Sequence, residues 1–149
     1  QADMAIAYQP SVASAVDQGA KVVFAFAEYI GPFCNTGIMV LESTIESDPD
    51  MVQALVTSFE EASRLTYADP DFAKQVARAE FPDLPPDVVN AAIDAQLEFR
   101  IPAETVVVQR DQWDNLIDMQ LYLGNIQGTI PFEEIVDNSF AERAVAALG

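Results

Sequence analysis

The sequence predicts an α/β protein in which short, mostly parallel strands are followed by a helix-rich C-terminal region. Three apolar runs of strand length lie in the first part of the chain. From Ser43 onward, apolar residues recur at helical spacing, and capping residues mark where the helical segments begin. Half of the 149 residues are hydrophobic, so the chain is long and apolar enough to bury a core.

The first segment has the order strand, helix, strand. Residues 4–8 form a short apolar run, and residues 11–18 form a predicted helix that begins after Pro10 and ends at Gly19. Residues 21–26 are a second apolar run, which is typical of a buried strand. Because a short crossover joins the two runs, we expect them to be parallel neighbours in one sheet.

Residues 28–36 interrupt this pattern. Gly31 and Pro32 break regular structure there, while aromatic and polar side chains alternate around them. The stretch is too apolar for an ordinary surface loop, and residues 37–42 after it form a third predicted strand.

Helices are expected in the remaining chain. Ser43 and Glu46 have the spacing of a capping box, and Asp48 and Asp69 each precede a proline at a first helical position. The helix after Asp48 is expected to bury one face, which consists of Val52, Leu55, Phe59, Ala62 and Thr66.

Three further helices are predicted. One follows Pro85-Pro86, one begins near Asp111 and ends at Gly124, and Ser139 with Glu142 caps a final helix. Residues 106–108 are β-branched, and their conformation is left open.

Charge and composition exclude several function classes. Twenty-four acidic residues against seven basic ones give a net charge of −17, which excludes binding to nucleic acid and to anionic membrane surfaces. Without histidine, neither a Ser-His-Asp nor a Cys-His catalytic centre can be built. Cys34, the only cysteine, is interpreted as a packing residue. The two Asp-Pro-Asp triplets are interpreted as helix caps, since they lack calcium-loop spacing. We therefore expect no catalytic residue, no metal and no cofactor.

With these elements in order, the chain resembles one family, the solute-binding proteins of ABC importers for nitrate, sulfonates, taurine and thiamine-pyrimidine precursors. Residues 2–10 are similar to the family's strand end with an aromatic–acid–Pro motif, and residues 45–52 to its Asn-Pro-Asp helix start. Ala68-Asp69-Pro70 and residues 131–140 also fit. The resemblance covers essentially the whole chain, but only the C-terminal half of a family member.

The resemblance implies a two-lobed, type II periplasmic binding fold. Residues 1–30 would be the tail of the second lobe, residues 28–36 the hinge, and residues 37–149 the return to the first lobe. It implies a periplasmic protein, or an extracellular one anchored to a membrane. The implied partners are a small solute, a membrane permease, and either the missing N-terminal half or a second copy of the chain.

In such a fold the solute binds between the lobes, at the carboxyl ends of the strands. The candidate ligand-binding residues are Tyr8, Gln9, Tyr29, Phe33 and Asn35. Gln9 stands where many family members have a carboxylate, and it offers a donor and an acceptor without charge. An anion would depend on basic groups of the absent half. A neutral or cationic solute, such as a pyrimidine held by stacking, fits these residues at least as well.

Two other functions compete with this interpretation. The chain could be an acidic, helix-rich interaction module or a self-associating half-protein that has no ligand. A carboxylate-dependent or metal-dependent enzyme is the weaker alternative, and it would use the strand-end carboxylates of Asp3 and Glu28.

Overall fold

The computed structural model describes residues 3–149, and it is a small all-α fold in which 59% of the residues are helical. Eight α-helices and one 3₁₀ helix occur in that range. The α-helices are α1 Ser11–Asp17, α2 Glu42–Ser47, α3 Pro49–Ala68, α4 Pro70–Glu80, α5 Pro86–Glu98, α6 Arg110–Tyr122, α7 Phe132–Ile135 and α8 Ser139–Leu148, and the 3₁₀ helix is Phe26–Glu28.

The predicted α/β class is wrong, because none of residues 3–149 forms a β-strand. Residues 4–8, 21–25 and 37–41 have no regular secondary structure, and most of their large apolar side chains face solvent, Met39 with 95% of its surface exposed. A strand needs a neighbouring strand for its backbone hydrogen bonds, and an apolar run does not specify one. Gln1 and Ala2 lie outside the described residues, and Ala2 is the first residue of the stretch that resembles a strand end.

The helix starts that depend on Asp-Pro pairs are confirmed. The Asp48 carboxylate accepts a hydrogen bond from the backbone N–H of Met51 at 3.1 Å, where α3 begins. The Asp69 carboxylate accepts one from the N–H of Phe72 at 3.0 Å, where α4 begins. Both carboxylates are therefore N-caps, as the interpretation of the Asp-Pro-Asp triplets required.

The two predicted capping boxes are wrong. Helix α2 begins at Glu42 with Leu41 in the cap position, one residue before Ser43. Helix α8 has Asn138 in its cap position, and Ser139 is already helical. The predicted end of α6 is confirmed, since Gly124 follows it with a φ of +72°, which glycine adopts without strain.

The chain forms two compact units, and the first comprises Gln1–Tyr29 and Leu65–Ala103. Its core joins Ala13 of α1 to Val88 and Ala92 of α5. Helices α4 and α5 are linked by an ion pair of 2.6 Å between the Lys74 ammonium and the Asp94 carboxylate.

The second unit comprises Ile30–Arg64 and Glu104–Gly149, with a core between α3 and α8. The buried core residues are Val52, Val56, Phe140, Ala141 and Ala144. Of the face predicted for α3, only Val52 is buried, whereas Leu55 and Phe59 are exposed. The buried face of α3 consists of Val52, Val56 and Glu60, so the predicted face is wrong.

Glu60 is buried because its carboxylate has partners on both oxygens. Oε1 accepts a hydrogen bond from the Arg64 guanidinium at 2.7 Å, while Oε2 accepts from the Thr105 hydroxyl and the Val106 N–H at 2.9 Å each. Arg64 also donates to the backbone oxygens of Val145 and Gly149. This network joins α3 to the 105–106 segment and to the end of α8.

Asn138 pairs with the backbone of the β-branched stretch 106–108. Its side-chain oxygen accepts from the Val108 N–H at 3.0 Å, and its amide nitrogen donates to the Val108 oxygen at 2.9 Å. One side chain thus provides the two hydrogen bonds that a neighbouring strand would give to this residue.

Candidate functional site

The five predicted ligand-binding residues divide between the two units. Tyr8, Gln9 and Tyr29 belong to the first unit, and Phe33 and Asn35 belong to the second. The chain passes from one unit to the other between Tyr29 and Ile30, within the predicted hinge 28–36. A solute site that contains all five residues, and the assignment of lobes and hinge, stay predictions.

In the first unit, Tyr8 and Gln9 hold the beginning of α1. The Gln9 side-chain oxygen accepts a hydrogen bond from the Ala13 N–H at 3.1 Å, and the Tyr8 backbone oxygen accepts from the Val12 N–H at 3.1 Å. The Gln9 amide nitrogen remains as a donor that could bind a solute. The side chain of Tyr8 faces solvent, since 84% of the residue surface is exposed.

Tyr29 belongs to an aromatic cluster with Phe24 and Phe26. The rings of Phe24 and Tyr29 are stacked, with centroids 4.4 Å apart and planes inclined by 14°. Phe26 packs edge-on against Phe24 at 5.1 Å. All three residues are exposed, Phe24 and Phe26 with about half of their surface and Tyr29 with 67%. The sequence singled out only Tyr29, because Phe24 and Phe26 fell in a run interpreted as a buried strand.

In the second unit, helix α6 fixes the segment that carries Phe33 and Asn35. The Asn115 amide donates to the Pro32 backbone oxygen at 2.9 Å, and the Cys34 N–H donates to the Gln112 oxygen at 3.3 Å. Phe33 is half-buried and Asn35 is exposed. Burial, with a smaller effect from the Asp111 carboxylate, raises the pKa of the Cys34 thiol. Cys34 is therefore a poor nucleophile, which supports its interpretation as a packing residue.

The sequence did not predict a cleft of about 400 Å³ that lies against α6 in the second unit. Residues spaced three or four apart along this helix share the face that lines it. The cleft is lined from α6 by Arg110, Trp113, Asp114, Ile117 and Asp118, and from the following chain by residues 129–132.

Aromatic rings and charged groups meet in this α6 cleft. Trp113 packs edge-to-face on Phe132, with ring centroids 6.0 Å apart. The Arg110 guanidinium lies over the Phe132 ring at 5.1 Å, and it forms ion pairs with Asp114 at 3.5 Å and with Glu133 at 2.5 Å. The pKa of Glu133 is lowered by hydrogen bonds from the Glu133 backbone N–H and from the Arg110 guanidinium. Asp118 is a further carboxylate among the residues that line the cleft.

Sequence analysis missed the α6 cleft for an identifiable reason. The spacing of Arg110, Asp114 and Asp118 by four residues each could have placed these charges on one helix face beside Trp113. Nothing in that spacing indicates that Phe132 closes the other side, because this contact depends on the path of the chain after α6.

Within residues 3–149, no group of three His, Cys, Asp or Glu side chains is placed to hold a metal ion. Nor does any helix in the described part of the chain combine the length and apolarity that crossing a bilayer requires. Comparison of the chain with models of known protein families, with curated proteins and with solved structures found no match.

Proposed function

We propose that the chain is part of a solute-binding protein that delivers a small solute to an ABC importer. The order of motifs along the chain supports the family. The structural observation that carries the proposal is the exposure of Tyr8 and of Tyr29 in its stack with Phe24, because uncovered aromatic faces are suited to hold a planar organic solute. The Gln9 amide nitrogen is a further donor in the same unit.

The charges of the first unit favour a neutral or cationic solute. Three of its basic side chains already contact groups of the unit: Lys74 pairs with Asp94, Arg78 donates to Asn90, and Arg100 lies over the Tyr67 ring. Nitrate and sulfonates need guanidinium, ammonium or helix N-terminal donors. A pyrimidine needs only stacking and hydrogen bonds, so it is the better candidate for these residues.

A thermal-shift screen of the protein tests this proposal. We expect a pyrimidine to raise the melting temperature, since a ligand at 100 times its dissociation constant stabilises a protein by about 2.7 kcal/mol. Nitrate, taurine and amino acids are the comparison solutes. If no member of the panel changes the melting temperature, the proposal is wrong.

A matched pair of variants connects the solute to the predicted residues. Tyr29→Ala is expected to weaken pyrimidine binding about tenfold, since stacking of a base on an aromatic side chain contributes roughly 1–3 kcal/mol. Tyr122→Ala is the control, because Tyr122 is 90% exposed and lies in the other unit. Equal losses in both variants would contradict the assignment of Tyr29 to the site.

Delivery to an importer requires that the protein face the outside of the cytoplasmic membrane. We therefore propose a periplasmic location, or an extracellular one with a membrane anchor. Cell fractionation tests the location, and uptake of the same solute by cells that lack the protein tests the delivery. Unchanged uptake at a low external concentration of solute would contradict it.

A second function, that of an interaction module, is favoured by a separate observation. Three segments, residues 4–8, 21–27 and 31–41, contain none of the 24 acidic residues, and most of their large apolar side chains are exposed. We call them the carboxylate-free segments. Exposed apolar surface of this kind marks contact sites for other polypeptides. The rest of a larger protein or a second copy of the chain would cover it, and the mass in solution distinguishes these from a stable monomer.

A further inference from the structure

We propose that the α6 cleft binds an organic cation that carries a flat apolar group. The proposal goes beyond the solute site discussed above, because the cleft lies in the second unit and includes none of the five predicted ligand-binding residues. It assigns a second binding site to the chain and names the class of ligand.

The aromatic part of the cleft provides a surface for a positive charge. A cation within about 6 Å of an aromatic centroid is attracted by the ring, and tryptophan attracts it most strongly. The cleft already contains one such contact, since the Arg110 guanidinium lies 5.1 Å from the centre of the Phe132 ring. Trp113, packed edge-on against Phe132, adds an indole to the same cleft.

The charges of the cleft select for a cation. Arg110 is engaged by Asp114 and by Glu133. Among the nine lining residues, Asp118 is a further carboxylate and Arg110 is the one basic side chain. The two lining carboxylates, Asp114 and Asp118, together with Glu133 beside the cleft, outnumber the one guanidinium, in a chain whose net charge is −17. Such a field raises the local concentration of cations and repels anions.

The size and the walls of the cleft suit an aromatic or aliphatic ring with a short charged arm. Its volume of about 400 Å³ is within the range of ~300–1,000 Å³ that is usual for small-molecule sites. Ile117 and Ile130 add apolar walls beside the two aromatic rings. The cleft thus offers an apolar surface for the ring and carboxylates for the charge.

Fluorescence provides a direct test, because Trp113 is the only tryptophan of the sequence and lines the cleft. The probes are benzylamine, benzyl alcohol and benzoate, which share a ring and carry a positive charge, no charge and a negative charge. We expect saturable changes in Trp113 emission, with benzylamine binding about threefold or more tighter than benzyl alcohol, as one exposed ion pair allows. Benzoate should bind most weakly, and added salt should weaken benzylamine binding alone.

Variants of α6 identify the carboxylate responsible. Asp118→Asn is expected to reduce benzylamine affinity about two- to fivefold and to leave benzyl alcohol binding unchanged. Asp111→Asn makes the same change of net charge on the same helix, outside the cleft, and should have a smaller effect. Asp118→Glu should retain the preference for the cation, and circular dichroism checks that each variant keeps its helices.

Three results would overturn the proposal: no saturable change with any probe, equal affinities for benzylamine and benzyl alcohol, or equal losses in Asp118→Asn and Asp111→Asn. None of them affects the solute proposal, which depends on Tyr29 and on the thermal-shift screen.

Discussion

At the scale of single residues, Glu60 connects helix α3 of the second unit to the 105–106 segment. It is a carboxylate with 1% of its surface exposed, at a position where a helix would ordinarily bury an apolar residue. Burial raises the pKa of Glu60, but hydrogen bonds from the Val106 N–H, from Arg64 and from Thr105 outweigh it and hold the pKa below 4.5. The charged form is therefore the one that the fold stabilises.

Replacing Glu60 by glutamine is expected to lower the free energy of unfolding by about 2–3 kcal/mol. The substitution keeps the size of the side chain but leaves the Arg64 guanidinium without its carboxylate and turns one acceptor into a donor. Urea denaturation measures the loss. The control is Glu61→Gln on the exposed side of α3, which should change stability by less than about 0.5 kcal/mol. Similar losses in both variants would mean that the network contributes little.

The stability that Glu60 contributes should also depend on pH. Because the pKa of Glu60 is lower in the folded chain than its ordinary 4.5, the contribution is fully present above pH 4.5 and is lost as the pH falls through the folded value. We therefore expect the stability difference between the natural chain and Glu60→Gln to shrink on acidification below pH 4.5. Urea denaturation at a series of pH values measures it, and a constant difference would contradict the assignment.

At the scale of elements, two hydrogen bonds between the Asn138 side chain and the Val108 backbone connect the 106–108 segment to the start of α8. Replacing Asn138 by aspartate keeps the acceptor for the Val108 N–H but removes the donor for the Val108 oxygen, which then faces a negative oxygen. We expect a loss of about 1–3 kcal/mol, the cost of an unsatisfied, partly buried carbonyl group. Thermal denaturation followed by circular dichroism measures it.

The same chemical change at an exposed position is the control for this element. Asn125→Asp alters an exposed side chain after α6 whose amide donates to the Gln120 side chain, so the expected loss is below about 0.5 kcal/mol. A loss of equal size in the two variants would show that added charge, and not the contact with Val108, is responsible.

At this scale, the sequence could predict those features that depend on contacts between residues close together in the chain. Asp48 and Asp69 cap helices through contacts with residues three positions away, and both helix starts were predicted correctly. The predicted strands were wrong, because a β-strand needs a neighbouring strand and an apolar run such as residues 37–42 does not specify one. The burial of Glu60 depends on Thr105 and Val106, more than 40 residues along the chain, and the α6 cleft depends on Phe132. Both were missed for this reason.

At the scale of the whole molecule, net charge and exposed apolar surface have opposite effects on self-association. A net charge of −17 repels a second copy, whereas the carboxylate-free segments, with Met39 95% exposed, favour contact with other polypeptides. The balance depends on ionic strength, since the screening length falls from ~30 Å at 0.01 M salt to ~3 Å at 1 M. Attraction between apolar side chains does not weaken in the same way.

We therefore expect the chain to be monomeric near 0.01 M salt and to form larger species as the salt approaches about 1 M. Sedimentation velocity measures the mass. Met39→Asp places a charge in a carboxylate-free segment and should suppress the larger species, because the contact would then have to bury a carboxylate. Tyr122→Asp adds the same charge at another exposed position, outside these segments, and should not change the amount of the larger species. A mass that does not change with salt, or equal behaviour of the two variants, would show that the carboxylate-free segments do not bring copies of the chain together.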